Sequence, residues 1–233
     1  MHLHDLQAFL SELSENNHRA WMAMNKPRYD ILRNEFLELT AALINNLKRT
    51  DPAIANTNPA KALFRINRDV RFSKDKSPYK TIFSASIVPD GRKKPSEGGG
   101  PAYYFQFDAQ GVLLFAVGEY LPPPHRLRQI RDQLISDGNG FLDAIHQNPF
   151  RSNFPAIRPE GRLVKVPRAY PAEHPMREWL KYKSFIAVNE ISYLGMSAAE
   201  VKKQLLTAFE SAKPLIYWLR TPHHVAINAH PEL

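Results

Sequence analysis

The residues best equipped for chemistry lie in one stretch, Phe64 to Lys80, which reads Phe-Arg-Ile-Asn-Arg-Asp-Val-Arg-Phe-Ser-Lys-Asp-Lys-Ser-Pro-Tyr-Lys. Arg65, Arg68 and Arg71 fall within seven residues, interleaved with Asn67 and Asp69. Guanidinium groups hold phosphate or carboxylate through a planar fork, so this spacing points to an anion. Phe64, Ile66, Val70 and Phe72 share one parity, and Arg65, Asn67, Asp69 and Arg71 share the other. That alternation predicts a strand with a polar row on one side, from which Arg68 departs unless a bulge re-aims it. Lys74, Lys76, Tyr79 and Lys80 extend the cationic run. A carboxylate between arginines has a lowered pKa, which suits Asp69 to orienting arginines or holding Mg²⁺ better than to general-acid work. The competing reading is an Arg/Asp lattice across a sheet face. Two carboxylates, Asp69 and Asp75, cannot neutralise the seven cations of residues 61–81, so a lattice alone leaves surplus charge.

A second candidate for acid–base chemistry is His174, beside Glu173, although a His-Pro pair at a helix start also serves structure. His2 and His4, and His223, His224 and His230, lack acidic ligands at useful spacing, so no metal site is assigned. Gly98-Gly99-Gly100 lacks the Gly-Lys-Ser/Thr ending of a phosphate loop and reads as a tether. Its neighbours Arg92, Lys93 and Lys94 could fold over an anionic ligand. No serine elbow, His-Glu-x-x-His or dinucleotide-binding glycine pattern is present. The absence of cysteine removes disulfides, thiolate metal sites and cysteine nucleophiles, and fits a reducing cytosol. The longest apolar run, Val112 to Val117, is far short of a membrane span, and the N-terminus shows no signal-peptide pattern. A cytoplasmic protein without membrane contact is expected.

The formal net charge of +8 is local. Residues 61–81 carry +5 and residues 162–183 carry +4, leaving −1 for the rest of the chain. The second block holds Arg162, Lys165, Arg168, Arg177, Lys181 and Lys183 against Glu173 and Glu178. Two such blocks favour phosphates, nucleic acid or acidic metabolites over mere solvation.

The Phe64–Lys80 stretch resembles the signature of an uncharacterised family of bacteria and fungi, domain of unknown function 2461. The likeness extends upstream through Phe9-Leu10, the run Asn16 to Trp21, Asn25-Lys26 and Tyr29. Downstream it takes in Lys165 to Tyr170, His174-Pro175, Leu180-Lys181 and Lys183 to Phe185. It covers nearly the whole chain and implies one compact unit. It carries no activity, cofactor or catalytic residue. It groups three motif regions, whose Arg19, Trp21 and Lys26, then the Arg/Asp strand, then Arg168, Tyr170, His174 and Lys181 are expected to converge on one basic cleft. Cations beside aromatics suit stacking together with phosphate binding.

The elements that would position these residues follow from periodicity. Leu6, Phe9, Leu10 and Leu13 predict a helix over 5–15 with Asp5 as cap, and Asn17 caps a short helical turn to Met24. Tyr29, Leu32, Phe36, Leu39, Leu43 and Leu47 predict a long helix from Pro27 to about residue 48. Strands are expected over 64–72, 81–88, 102–107 and 112–118, the last two joined by the Asp108–Gly111 turn. Residues 125–147 read as helical with a break near 138–140, then a short helix near 174–182 and a strand near 184–192. Ser197 with Glu200 forms a capping-box pattern opening a last helix to about Leu219. The expectation is a single α+β domain over 1–233, with an N-terminal helical part (5–48), a central, mostly antiparallel sheet (61–118) and a C-terminal helical part (125–220).

The expected function is a basic cleft for a phosphorylated or other anionic small molecule. If the protein is an enzyme, phosphoryl or phosphodiester chemistry fits, with Asp69 placing a nucleophile or Mg²⁺ and arginines holding transferred charge. The rivals are a nucleic-acid-binding protein using both blocks, and a non-catalytic scaffold docking an acidic partner.

Overall fold

A five-stranded antiparallel sheet is laid down by the middle of the chain, in the computed structural model that describes residues 1–89, 100–158 and 160–221. Its strands are β1 (Ile82–Ile87), β2 (Ala102–Asp108), β3 (Val112–Glu119), β4 (Ile157–Arg158) and β5 (Phe185–Ser192), in the order β1-β2-β3-β5-β4. The Asp108 carboxylate accepts from the Gln110 and Val112 amides at 2.9 and 2.8 Å, closing the tight β2–β3 turn. Gly111 completes that turn at φ +83°, a conformation that favours glycine.

Period-two alternation sorts the sheet into two faces. Phe83, Ala85 and Ile87 pair in register with Phe107, Phe105 and Tyr103, and these with Leu113, Phe115 and Val117. All nine are buried. Onto this face pack α1 (Leu3–Glu15) through Phe9 and α3 (Lys26–Leu47) through Phe36. The Phe36 ring centroid lies 5.7, 5.3 and 6.0 Å from those of Phe83, Phe105 and Phe107. Phe141 of α6 (Gly138–His146) meets Phe185, and Phe209 of α9 (Ala198–Ser211) meets Tyr103 at 5.3 Å. The chain is thus α+β, with helices from both ends on one sheet face.

Several local readings change. Leu3, not Asp5, begins α1, and His2 is its N-cap residue. His18 rather than Asn17 caps α2 (Arg19–Met24), accepting from the Trp21 amide at 3.2 Å. The last helix is two, α9 and α10 (Lys213–Arg220), parted at Ala212, because Pro214 cannot donate to the preceding turn. The break expected near 138–140 is present and falls at Asp137, between α5 (Pro124–Ser136) and α6, with the Asp137 carboxylate accepting from the Gly140 amide at 3.0 Å. The short helix near 174–182 is only α8 (Arg177–Leu180), and α7 (Asn148–Asn153) and β4 arise unannounced.

The main correction concerns residues 61–80. The sheet begins at Ile82, not near 61, and 64–72 is not a strand. After α4 (Pro59–Ala62), only isolated bridges occur, Leu63 with Ala85 and Asn67 with Tyr79. Burial alternates from Phe64 to Val70, but the backbone bends at Ile66 and closes on itself. Lys80 donates to the Ile66 carbonyl at 2.8 Å and Arg68 to the Pro78 carbonyl at 2.9 Å. Phe72, expected on the apolar side, is 95 % exposed.

Candidate functional site

The second face of the sheet carries smaller and more polar side chains than the first. Its rows, in register, are Ser86–Tyr104–Ala116–Val188, Ser84–Gln106–Leu114–Glu190 and Ala102–Gly118–Ile186. Every helix-to-sheet ring contact described above falls on the opposite face. These rows instead floor a groove of about 510 Å³. Gly118 leaves its notch by necessity, since a Cβ there would stand 2.0 Å from the Phe185 carbonyl oxygen. The Tyr104 hydroxyl donates to the Gln106 side-chain oxygen at 2.6 Å. Burial pushes the Tyr104 pKa up, so the phenol stays neutral and a hydrogen-bond donor.

One rim is built by the signature stretch. The Phe64 amide donates to the Ser84 carbonyl at 2.9 Å, fixing this residue along the outer edge of β1. The Phe64 ring then meets Tyr104 edge-on at 6.2 Å, and the Lys80 ammonium sits 5.4 Å from the centre of the same ring. Partial burial, then the nearby positive charge of Arg65, lower the Lys80 pKa. Lys80 has no carboxylate partner among the described residues, whereas the charge of Arg65 acts on Asp69. The other rim carries Arg158 and Glu160. Arg158 reaches Glu190 at 3.3 Å, with both side chains about half exposed, a pair of little energetic weight.

The remaining signature residues satisfy one another. The Arg68 guanidinium donates to the Ser77 carbonyl at 3.2 Å and the Ser73 hydroxyl at 3.3 Å, and pairs with Asp75. Asp75 also accepts from the Ser77 amide and hydroxyl, which with Arg68 hold its carboxyl at about 2. Lys76 donates to the Val70 carbonyl at 3.0 Å. Both Asp69 oxygens accept from Arg71, at 2.9 and 2.7 Å, and this pairing holds Asp69 at about 2. Asp69 thus orients Arg71, the first of the two roles expected of it. Asn67 is exposed at its bridge to Tyr79, and Lys74 is exposed.

The first motif region joins the second. Asn17 donates to the Tyr79 carbonyl and accepts from its amide, both at 3.0 Å. Trp21, expected to face a ligand, is instead core, 9 % exposed with its ring 5.5 Å from Phe9. Arg19 is exposed, and Lys26 pairs with Asp30.

The third region stands elsewhere. The Tyr170 hydroxyl donates to Asp132 on α5 at 2.8 Å, and Arg131 of α5 donates to the Leu180 carbonyl at 2.8 Å. The His174 ring accepts from the Met176 amide at 3.1 Å and so closes a turn. Lys181 pairs with Glu178, and Arg168 is exposed. Sheet register decides the separation. Lys80 precedes the start of β1, an edge strand, while Lys183 precedes the start of β5, three strands across and at the other end. Strand rise and spacing put those two starts roughly 25 Å apart. The two basic blocks therefore enter the sheet at opposite ends, and Lys183 of the second lies against Gly161, next to Glu160 on the groove rim.

Sequence reasoning missed the groove residues Tyr104, Gln106, Leu114, Ala116 and Arg158. The available signal was parity, since Tyr103, Phe105 and Phe107 alternate with Ala102, Tyr104 and Gln106. The readings placed on Arg92–Lys94, Gly98–Gly99, His223, His224 and His230 lie outside the described residues. Among the described residues no group of three His, Asp or Glu could share a metal ion, and no helix is long and apolar enough to cross a membrane.

A family described as "Conserved hypothetical protein (DUF2461)" matches residues 5–218. No curated protein and no solved structure matches the chain.

Proposed function

The chain belongs to this family of conserved hypothetical proteins, which brings no activity with it, and we propose that it binds an organic anion in the groove on the second sheet face. The body of the ligand lies on Tyr104, Leu114, Ala116, Ile186 and Val188. Its charged group, a phosphate or carboxylate, turns toward Lys80 and Arg65. One observation supports this most. The Lys80 ammonium, whose pKa is lowered by partial burial and then by the charge of Arg65, lies 5.4 Å from the ring of Phe64, which lines the groove and meets Tyr104 edge-on. Holding two like charges together, one half-buried, costs stability unless an anion joins them. The apolar floor selects an amphipathic anion over inorganic phosphate, because a few polar groups fix orientation while apolar area supplies affinity.

The test is a thermal-shift panel at near-physiological salt, with nucleotides, sugar phosphates, aromatic and aliphatic carboxylates, and inorganic phosphate. A ligand at ~100 times its dissociation constant adds about 2.7 kcal/mol, a rise on the order of 5–10 °C for a chain of this size. The expected result is a rise with an anion that carries an apolar body, lost in Lys80→Met and in Ala116→Trp. Ala116→Trp fills the groove floor without touching the helix-covered face. No rise with any compound, or a rise that survives both substitutions, refutes the reading.

A further inference from the structure

The loop from Arg68 to Ser77 turns its one large apolar side chain outward. Phe72 is 95 % exposed, although loop tips usually fold an aromatic ring under. The loop does not collapse because its interior is occupied by polar bonds. Arg68 spans it to Ser73, Asp75 and Ser77, Lys76 ties back to Val70, and the Ser73 amide donates to the Val70 carbonyl at 3.3 Å. The chain thus spends an arginine, an aspartate and a lysine on holding Phe72 away from the core.

The surroundings of the ring define what it meets. The Arg71 guanidinium, fixed by its two bonds to Asp69, lies 5.8 Å from the Phe72 ring centroid. Lys74 is exposed nearby in the chain and has no carboxylate partner among the described residues. Phe72 is the sole exposed large apolar side chain within 61–80. One ring is too little for the apolar centre of a protein interface, which gathers several anchors. It is enough for one stacked base, and cations beside it suit the adjoining phosphates.

We propose that the Arg68–Ser77 loop is a stacking finger for single-stranded nucleic acid, with an unpaired base on Phe72 and a backbone phosphate at Lys74. This contact is separate from the groove, and its success or failure leaves the groove reading standing on its own test.

The probe is a fluorescein-labelled oligodeoxyadenylate of about ten nucleotides, within the common site size for single strands. Anisotropy is followed over a range of salt concentrations. Phe72→Ala removes only an exposed side chain, so folding is preserved and is checked by the unfolding midpoint. The expected result is binding by the unaltered chain, weakened roughly tenfold or more in Phe72→Ala and retained in Phe72→Tyr. Lys74→Gln lowers the salt slope by about 0.7, one single-strand phosphate contact, while Phe72→Ala leaves the slope unchanged. No binding by the unaltered chain, or equal binding by Phe72→Ala, overturns the proposal. Binding to phosphatidylserine vesicles that Phe72→Ala abolishes, without oligonucleotide binding, also overturns it and assigns the finger to a membrane surface.

Discussion

Replacing Phe64 with alanine tests whether the signature stretch is a wall of the groove or a neighbour of it. The ring is half-buried, contacts Tyr104 edge-on at 6.2 Å and lies beneath the Lys80 ammonium at 5.4 Å. Half-burial of a phenyl ring contributes about 1–1.5 kcal/mol, the aromatic pair about 0.5–1.5, and the cation–π contact about 0.5–1. A total near 3 kcal/mol lowers Tm by roughly 6–12 °C for a chain of this length. Urea unfolding measures the same loss, with an unchanged slope expected because the unfolded surface hardly differs. Part of the loss is shared with Lys80. A double-mutant cycle of Phe64→Ala with Lys80→Met returns a coupling of about 0.5–1 kcal/mol, the size of the cation–π contact. The ligand response of the groove disappears in Phe64→Ala for a second reason, the loss of the rim that positions Lys80. A Tm fall of less than about 3 °C, with zero coupling to Lys80, refutes the placement of this ring, because it leaves under ~1 kcal/mol to share among three contacts.

Three further substitutions probe the frame and the loop. Asp51 is buried, accepts from the Tyr103 hydroxyl at 2.8 Å and pairs with Arg220, whose other buried nitrogens have no partner among the described residues. Asp51→Ala therefore costs about 3–5 kcal/mol, read by thermal unfolding, and Asp51→Asn costs less because Tyr103 keeps an acceptor. Ser197→Ala removes the capping box of α9 and costs about 1 kcal/mol in urea unfolding. Asp69 and Asp75, both held at about 2 against an ordinary 3.8, give stabilisation that is complete above about pH 4 and is lost as pH falls through 2. Carboxyl carbon shifts titrating near 2 check this, and in Ser77→Ala the Asp75 midpoint moves back toward 3.8.

Periodicity made the sheet legible where residues pair, and misled where they merely alternate. The β2–β3 hairpin and β5 stand within a residue or two of expectation. Residues 64–70 alternate just as regularly, yet alternation reports the side to which a side chain points, not whether its backbone has a ladder partner. Here Arg68 and Lys80 bond to Pro78 and Ile66 across a closed loop, a long-range choice that no local pattern contains. Pro214 was a readable stop inside the last helix and the apolar period hid it. The separation of the two strand starts has a topological reason. The regions before β1 and before β5 both precede strands, but β1 and β5 run oppositely with two strands between them.

Charge was legible as an amount and not as a place. Residues 61–81 hold +5, and the structure says which cations make up that surplus. Arg68 is cancelled by Asp75 and Arg71 by Asp69. Lys61, Arg65, Lys74, Lys76 and Lys80 remain. Lys61 is exposed, Lys76 caps a carbonyl, Lys80 sits near the groove-lining Phe64 ring with Arg65 close to it, and Lys74 follows Phe72 by two residues in the outward loop. The surplus is therefore divided between two places. Loss of one charge at either should act there alone, because exposed charges separated by more than about 10 Å are screened at ordinary salt. Lys80→Met is expected to remove the organic-anion response of the groove and leave the salt slope of oligonucleotide binding unchanged. Lys74→Gln is expected to do the reverse. If either substitution altered both readouts equally, the groove and the finger would be one anion site, and the division of the block would be wrong.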